Sequence, residues 1–539
     1  MNLNLKFVSY NLGIVAVLIA AAMAFSLLWA MPILGGVWEN EKSGVYGLVC
    51  SMLISVAVGG ALFRFGWDAR KQNFFRREAM LIVALSWTLA TVLGAMPYLV
   101  SGTSRAVEDG VPVRMSVADA VFEAQSGFST TGATVICVLD DSQLVPRTIL
   151  FWRSTTHFMG GLGIIVLLVA LLNTGQAGKF LMQREISGPL NSGNAMTRMR
   201  QTAICTLTVY GVICVAGIIL MLAAGTSVFD AICHIFGAVA TGGFSTHDAS
   251  VGFFQDSPGV NWNMVRITIT LVSFLCGMNL LLLYTAFSGK WRVLPQSLEW
   301  RTYVGMILLA TVVIFIYAAG HGHLPIYDSS GSFSATTFGD SLLTCLFHVV
   351  AILTTTGFVT TDYSTWASPC LVVLILLMFV GGCAGSTSGG IKVVRVIMLF
   401  KIFGIEFERA YRPAVVRPLR YGNEIISDEN VPRQLMVYLL TAVLILAVAW
   451  MLVVFLEPEA PWINAESGTA SVEKKLMDVF FATFSMFGNI GPGLGIFGPA
   501  SNYASLTDAS KFIFALVMML GRLEIFAVLS VFMPNFWRK

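Results

Sequence analysis

The chain has 539 residues, of which 56% are hydrophobic and only 12% charged, with a mean hydropathy of +0.77. Soluble domains carry about 25% charged residues, so the composition excludes a soluble globular protein and indicates a polytopic membrane protein. The net charge of +3 discriminates nothing further, and the nine cysteines show neither a C-x-x-C pair nor metal-ligand spacing, so they read as small apolar residues.

Residues 8–31 follow Lys6 and are long enough to cross a bilayer at about 20 residues per helix. They lack a small-residue cleavage site and are read as mature structure. A second span covers residues 45–65. Residues 1–78 therefore form an N-terminal transmembrane helix pair.

Four related units follow, over residues 79–178, 179–290, 291–403 and 433–539, with residues 404–432 as a cytoplasmic linker. Each contains a short polar, glycine-containing run: Thr130-Thr131-Gly132, Thr241-Gly242-Gly243, Thr355-Thr356-Gly357 and Asn489-Ile490-Gly491. The glycines stand 111, 114 and 134 residues apart, and Asp119, Asp230, Thr344 and Asp478 stand thirteen residues before them. Asp340 precedes Thr344 by one helical turn. A unit of this size is an internal repeat. Each reads as helix, re-entrant half-helix, polar run, helix. The first helices are expected at 80–100, 203–224, 303–319 and 435–456. The half-helices are expected at 117–127, 228–238, 340–352 and 475–487. The second helices are expected at 148–172, 264–287, 369–403 (interrupted) and 511–532. The fold class is thus an all-α polytopic membrane protein: four tandem helix–pore helix–filter–helix repeats around one pore, plus the N-terminal pair.

Basic residues concentrate in one set of loops, including Arg70, Lys71, Lys179, Arg184, Lys290, Arg292, Lys401, Arg409, Arg412 and Arg417. Acids such as Glu39, Glu41, Asp140, Asp141 and Asp248 occupy the other set. This asymmetry puts both termini in the cytoplasm and makes all four polar runs enter from outside.

A half-helix carries its partly negative C-terminal end to the membrane centre. Four such ends favour a cation, and the polar runs behind them offer carbonyls that can replace its hydration shell. The runs contain no acid, which favours a weakly hydrated monovalent cation. Asp119, Asp230, Asp340 and Asp478 are expected at the half-helix starts as caps.

The interrupted helix of the third unit meets Gly381-Gly382-Cys383-Ala384-Gly385-Ser386-Thr387-Ser388-Gly389-Gly390 at membrane depth. Such a sequence disfavours helix. It reads as an irregular segment lining the conduction path, with small-residue helix packing as the alternative. Arg522 lies inside the last apolar helix, either as a cation at the pore wall or as a brace on carbonyls. Arg153 and His157 read as structural. Lys392 and Arg395 are expected to snorkel to the interface.

Gly493-Leu494-Gly495-Ile496-Phe497-Gly498 spells G-x-G-x-x-G but has no strand–helix context for a dinucleotide. No enzyme motif appears, neither H-E-x-x-H nor G-x-S-x-G, and no nucleic-acid partner is expected.

These motifs, with Phe151-Trp152-Arg153, Gly160-Gly161-Leu162-Gly163 and Gly521-Arg522-Leu523-Glu524, resemble the Trk/Ktr/HKT superfamily of potassium transporters, most closely its TrkH-type bacterial members. The extra N-terminal helix pair is similar to that branch. The resemblance implies potassium uptake across the bacterial inner membrane, with potassium at the filter carbonyls of Thr131, Gly242, Thr356 and Ile490. It implies that residues 381–390, with Arg522, gate the pore. It further implies a homodimer and a cytosolic ring of TrkA-type nucleotide-binding subunits sensing NAD or ATP. No organic cofactor is expected on this chain. A sodium-selective or mixed cation pore is the alternative.

Overall fold

The computed structural model describes residues 3–69, 76–163, 195–321, 338–414, 418–422, 424–426, 430–463, 471–523 and 525–537. Two long helices, α1 (Leu5–Ser26) and α2 (Trp38–Gly66), form the N-terminal pair. Glycines make their close packing possible: a Cβ on Gly13 or Gly59 would press into the opposing helix.

The first unit comprises α3 (Arg76–Ser101), α4 (Val117–Phe128) and α5 (Arg147–Gly161). A hairpin not foreseen in the sequence, β1 (Ser104–Glu108) and β2 (Val111–Arg114), joins α3 to α4. Its turn residues Asp109 and Gly110 both take positive φ, the twist that tight hairpins select. The expected second helix ends at Gly161, with Gly163 at positive φ just beyond it; residues 164–172 lie outside the described residues.

The second unit comprises α6 (Ala195–Ala223), α7 (Val228–Val239), α8 (Trp262–Cys276) and α9 (Leu280–Phe287). The third has α10 (Leu298–His321), α11 (Phe338–Leu353), α12 (Ser368–Met378) and α13 (Val393–Tyr411). The fourth has α14 (Asn430–Leu456), α15 (Val472–Gly488), α16 (Asp508–Arg522) and α17 (Ile525–Phe532). Among the described residues six helices are long and apolar enough to cross a membrane, or seven if α8 and α9 count as one span.

Residues 264–287 read as one continuous helix, but α8 and α9 meet at 104° across Gly277–Asn279. Asn279 caps α9 by accepting from the Leu281 and Leu282 amides. Side-chain capping competes with the through-helix ladder, and the groups freed by the break find partners described below.

The acids are not the caps themselves. Ser116 and Ser227 cap α4 and α7, with Asp119 and Asp230 three residues in; on α4 Asp119 returns a bond to the Ser116 amide. Asp340 lies in the first turn of α11 and pairs with Arg266 at 2.8 Å. Because α15 starts at Val472, Asp478 falls within its body and accepts from the Trp462 indole at 3.0 Å.

Candidate functional site

The four polar runs are geometrically equivalent. Each half-helix ends in the same pair of main-chain bonds. In α4, Thr130 N–H donates to Gly127 O and Thr131 N–H to Ser126 O. The pairs Thr241–Ala238 and Gly242–Gly237, Thr355–Ile352 and Thr356–Ala351, and Asn489–Met486 and Ile490–Ser485 repeat this. This is the Schellman closure, which needs a left-handed residue just past the helix. Thr130, Thr241, Thr355 and Asn489 supply it, with φ of 53°, 53°, 57° and 55°. The fourth run, divergent in sequence, thus keeps the backbone of the others, and Asn is the easier resident of that conformation.

Two residues on, Gly132, Gly243, Gly357 and Gly491 also take positive φ. They have no room for a side chain either. A Cβ on Gly132 would collide with Gly242 O, on Gly243 with Thr356 O, on Gly357 with Ile490 O, and on Gly491 with Thr131 O. Each glycine meets the central carbonyl of the next arm, and the fourth meets the first. The arms therefore close into a ring. The Thr130, Thr131, Thr241, Thr355, Thr356, Asn489 and Ile490 side chains are fully buried. On one side the four glycines line a shared cavity of about 70 Å³.

Behind the ring, Arg153 and His157 serve as braces. Arg153 binds Glu123 at 2.5 Å and Ser245 O at 2.6 Å, and lies 3.6 Å over the Phe244 ring. His157 stacks on Phe244 at 3.9 Å. Glu123 also accepts from the Val135 amide at 3.0 Å and from Thr134. This buried carboxylate, which sequence reasoning passed over, ties the chain after the first run to the chain after the second. Its signal was available: an acid on the apolar half-helix, with one arginine to match. Asn489 Nδ2 donates to Thr131 Oγ1 at 2.9 Å, joining the fourth run to the first.

Residues 381–390 form an irregular, largely buried turn between α12 and α13. Gly381 N–H donates to Ile391 O and Val393 N–H to Gly382 O, so the two limbs close on each other. Gly385 and Gly390 take φ of 73° and 67°. The turn lies against the half-helix ends. Gly389 N–H donates to Thr355 Oγ1 at 2.8 Å, and Thr387 Oγ1 to Val239 O at 3.0 Å. A Cβ on Gly389 would strike Asn489. The turn also fills the α8–α9 break: Cys383 and Thr387 amides donate to Gly277 O and Cys276 O, and the Leu280 amide to Gly385 O. Ser386 closes the tip on Cys383 O, and Ser388 Oγ packs against Gly382.

Arg522 reaches this turn directly, donating to Thr387 O at 2.5 Å and to Gly160 O at 3.1 Å. Lys392 does not snorkel. As the residue before α13 its side chain points back along the helix, and its ammonium donates to Ser388 O. Arg395 stacks over Tyr438 at 4.1 Å.

A fourfold ring of main-chain carbonyls at half-helix ends, flanked by an irregular membrane-depth turn, defines a multi-pass membrane protein built around a single central passage. The chain belongs to the TrkH family, described as cation transport protein, whose match spans residues 49–539. That family is one of transporters. The Trk system potassium uptake protein TrkH of Salmonella typhimurium is 34% identical over 493 residues, covering 91% of this chain and 92% of the relative. The protein of the same name from Halomonas elongata is 31% identical over 550 residues, covering both chains completely. The crystal structure of the potassium transporter TrkH from Vibrio parahaemolyticus superposes with a TM-score of 0.79 at 28% identity, over 99% of each chain.

Proposed function

We propose that this chain is the pore-forming subunit of a potassium uptake system in the bacterial inner membrane, with both termini in the cytoplasm. The observation that carries the reading is the closed ring in which each filter glycine packs on the neighbouring arm's central carbonyl. The carbonyls of Thr131, Gly242, Thr356 and Ile490 replace the water around a potassium ion, and four half-helix C-termini add negative potential without a carboxylate. Residues 381–390, held by Arg522, are the gate. The subunit works as a homodimer with a cytosolic nucleotide-binding ring, a partnership supported by resemblance to TrkH-type proteins and by the basic residues of one set of loops. The concentration of Lys and Arg in one set of loops supports the orientation.

Isotope flux into proteoliposomes, with potassium competing against sodium, tests the reading. Wild type takes up potassium in preference to sodium. Gly132→Ser pushes its new side chain onto Gly242 O and lowers that preference. Equal fluxes of both ions in wild type favour the mixed-cation alternative, and an unchanged ratio in Gly132→Ser removes the assigned filter.

A further inference from the structure

Glu299 has no part in the filter, yet it is a buried carboxylate, 7% exposed, on the first turn of α10. Its Oε1 accepts the Ala384 amide at 2.7 Å, within the descending limb of the 381–390 turn. The Val394 main-chain N–H and the Lys392 charge face the same carboxylate. Both belong to the start of α13, and Lys392, its N-cap residue, makes no side-chain cap bond there. A carboxylate near free amides at a helix N-terminus is stabilising. Glu299 brings a carboxylate to this end of α13 from another helix.

The turn is thus pinned on two sides by charge. Arg522 and Lys392 donate to the adjacent carbonyls Thr387 O and Ser388 O, on the limb that rises to α13. Glu299 holds the opposite limb and the first turn of α13 together. A movement of α13 relative to α10 strains the carboxylate's contacts with both. A buried acid whose partners leave becomes costly, which favours a concerted change over a gradual one.

Resting on the reading of residues 381–390 as the gate, we infer that Glu299 is the latch that keeps this turn closed and couples it to α13. It is a positioning residue and touches no transported ion. The latch gives a force on the cytoplasmic end of α13 a defined point of release.

The test uses full-length protein in proteoliposomes, comparing wild type, Glu299→Gln, Glu299→Ala and a variant with residues 381–390 shortened. Potassium flux, the potassium-to-sodium ratio and the labelling rate of Cys383 are read on each. Cys383 is buried in the closed turn, so its labelling by a thiol reagent, followed by peptide mass spectrometry, reports opening independently of transport. Glu299→Ala raises flux and Cys383 labelling at least about tenfold, the scale of one charge-assisted hydrogen bond. Glu299→Gln, which keeps an acceptor for Ala384 and loses the charge, gives a smaller rise. The ion ratio stays as in wild type. If Glu299→Ala fails to yield monodisperse protein, Glu299→Gln decides. Wild-type flux and labelling in the folded Glu299 variants, with raised flux in the shortened turn, overturns the latch and leaves the gate standing. Wild-type flux in the shortened turn removes the gate reading itself.

Discussion

Three threonines carry the left-handed position of the proposed filter, where a β-branched side chain is an outlier. Such backbone costs about 1–3 kcal/mol per residue and persists only where surroundings fix it. The Schellman bonds and the neighbouring arms supply that fixing here. Another single residue, His247, sets a pH dependence beside the cavity that the four glycines line. Its Nδ1 lies 2.6 Å from Asp140 and its Nε2 3.4 Å from Asp230, while its ring stacks on Phe253. His234 stands 6.2 Å away, and Asp248 accepts from the Leu139 amide beside Asp140. Burial opposes the charge on His247, but the bonds to Asp230 and Asp140 outweigh it and hold its pKa above the ordinary value. A raised folded-state pKa gives stability that is complete below the ordinary histidine value and lost as pH rises through the raised one. Thermal melting of the solubilised protein over about pH 5 to 9 should show wild type losing stability on the alkaline side. His247→Gln should melt lower in acid and converge with wild type in base. A constant gap between the two curves would remove the pairing of His247 with Asp140 and Asp230 as its source.

At the scale of elements, two broken helices answer each other. Polar main chain at membrane depth must find partners inside the protein. The α8–α9 break and the 381–390 turn meet that requirement mutually, through Gly277, Cys276 and Gly385. The turn was legible because five glycines and three hydroxyls interrupt an apolar run. The α8–α9 break was not, because Gly277-Met278-Asn279 is short and the apolar pattern continues on both sides. Shortening the turn by two residues between Gly385 and Gly390 should withdraw it from Thr355 and Asn489. Potassium flux should then rise several-fold, with the ratio to sodium preserved because the ring of glycines is intact. A folded deletion with wild-type flux would identify the turn as a packing surface.

For the whole molecule, the proposed regulatory subunit acts at the end of α13 that the basic loops assign to the cytoplasm. Arg409 and Arg412 are exposed there, Arg409 in a 2.7 Å surface ion pair with Glu406, and Phe407 is 73% exposed. Arg417 and the stretch from Lys179 to residue 194 lie outside the described residues. The first turn of α13 holds Val394 and the last holds Arg409, so one helix joins the surface to the 381–390 turn. Reversing charge at Arg409, Arg412 and Arg417 should weaken co-purification of a nucleotide-binding subunit from membranes, most in low salt, where charge attraction is least screened. An undiminished complex with its nucleotide response intact would move the docking site elsewhere.

Repetition, membrane class and the positions of the four polar runs are properties of the sequence itself. Spacing of glycines, apolar length and backbone preference are local, and local signals survive in one dimension. That the fourth run matches the others could not be read from Asn489-Ile490, because backbone equivalence rests on the half-helix that precedes it and the arms that flank it. Glu123 with Arg153, Arg522 with Gly160, and Glu299 with Ala384 were likewise decided only in three dimensions. Each joins residues from different elements, 30, 362 and 85 positions apart. A buried charge must be satisfied by whatever the fold brings beside it, and no sequence period encodes which partner that is.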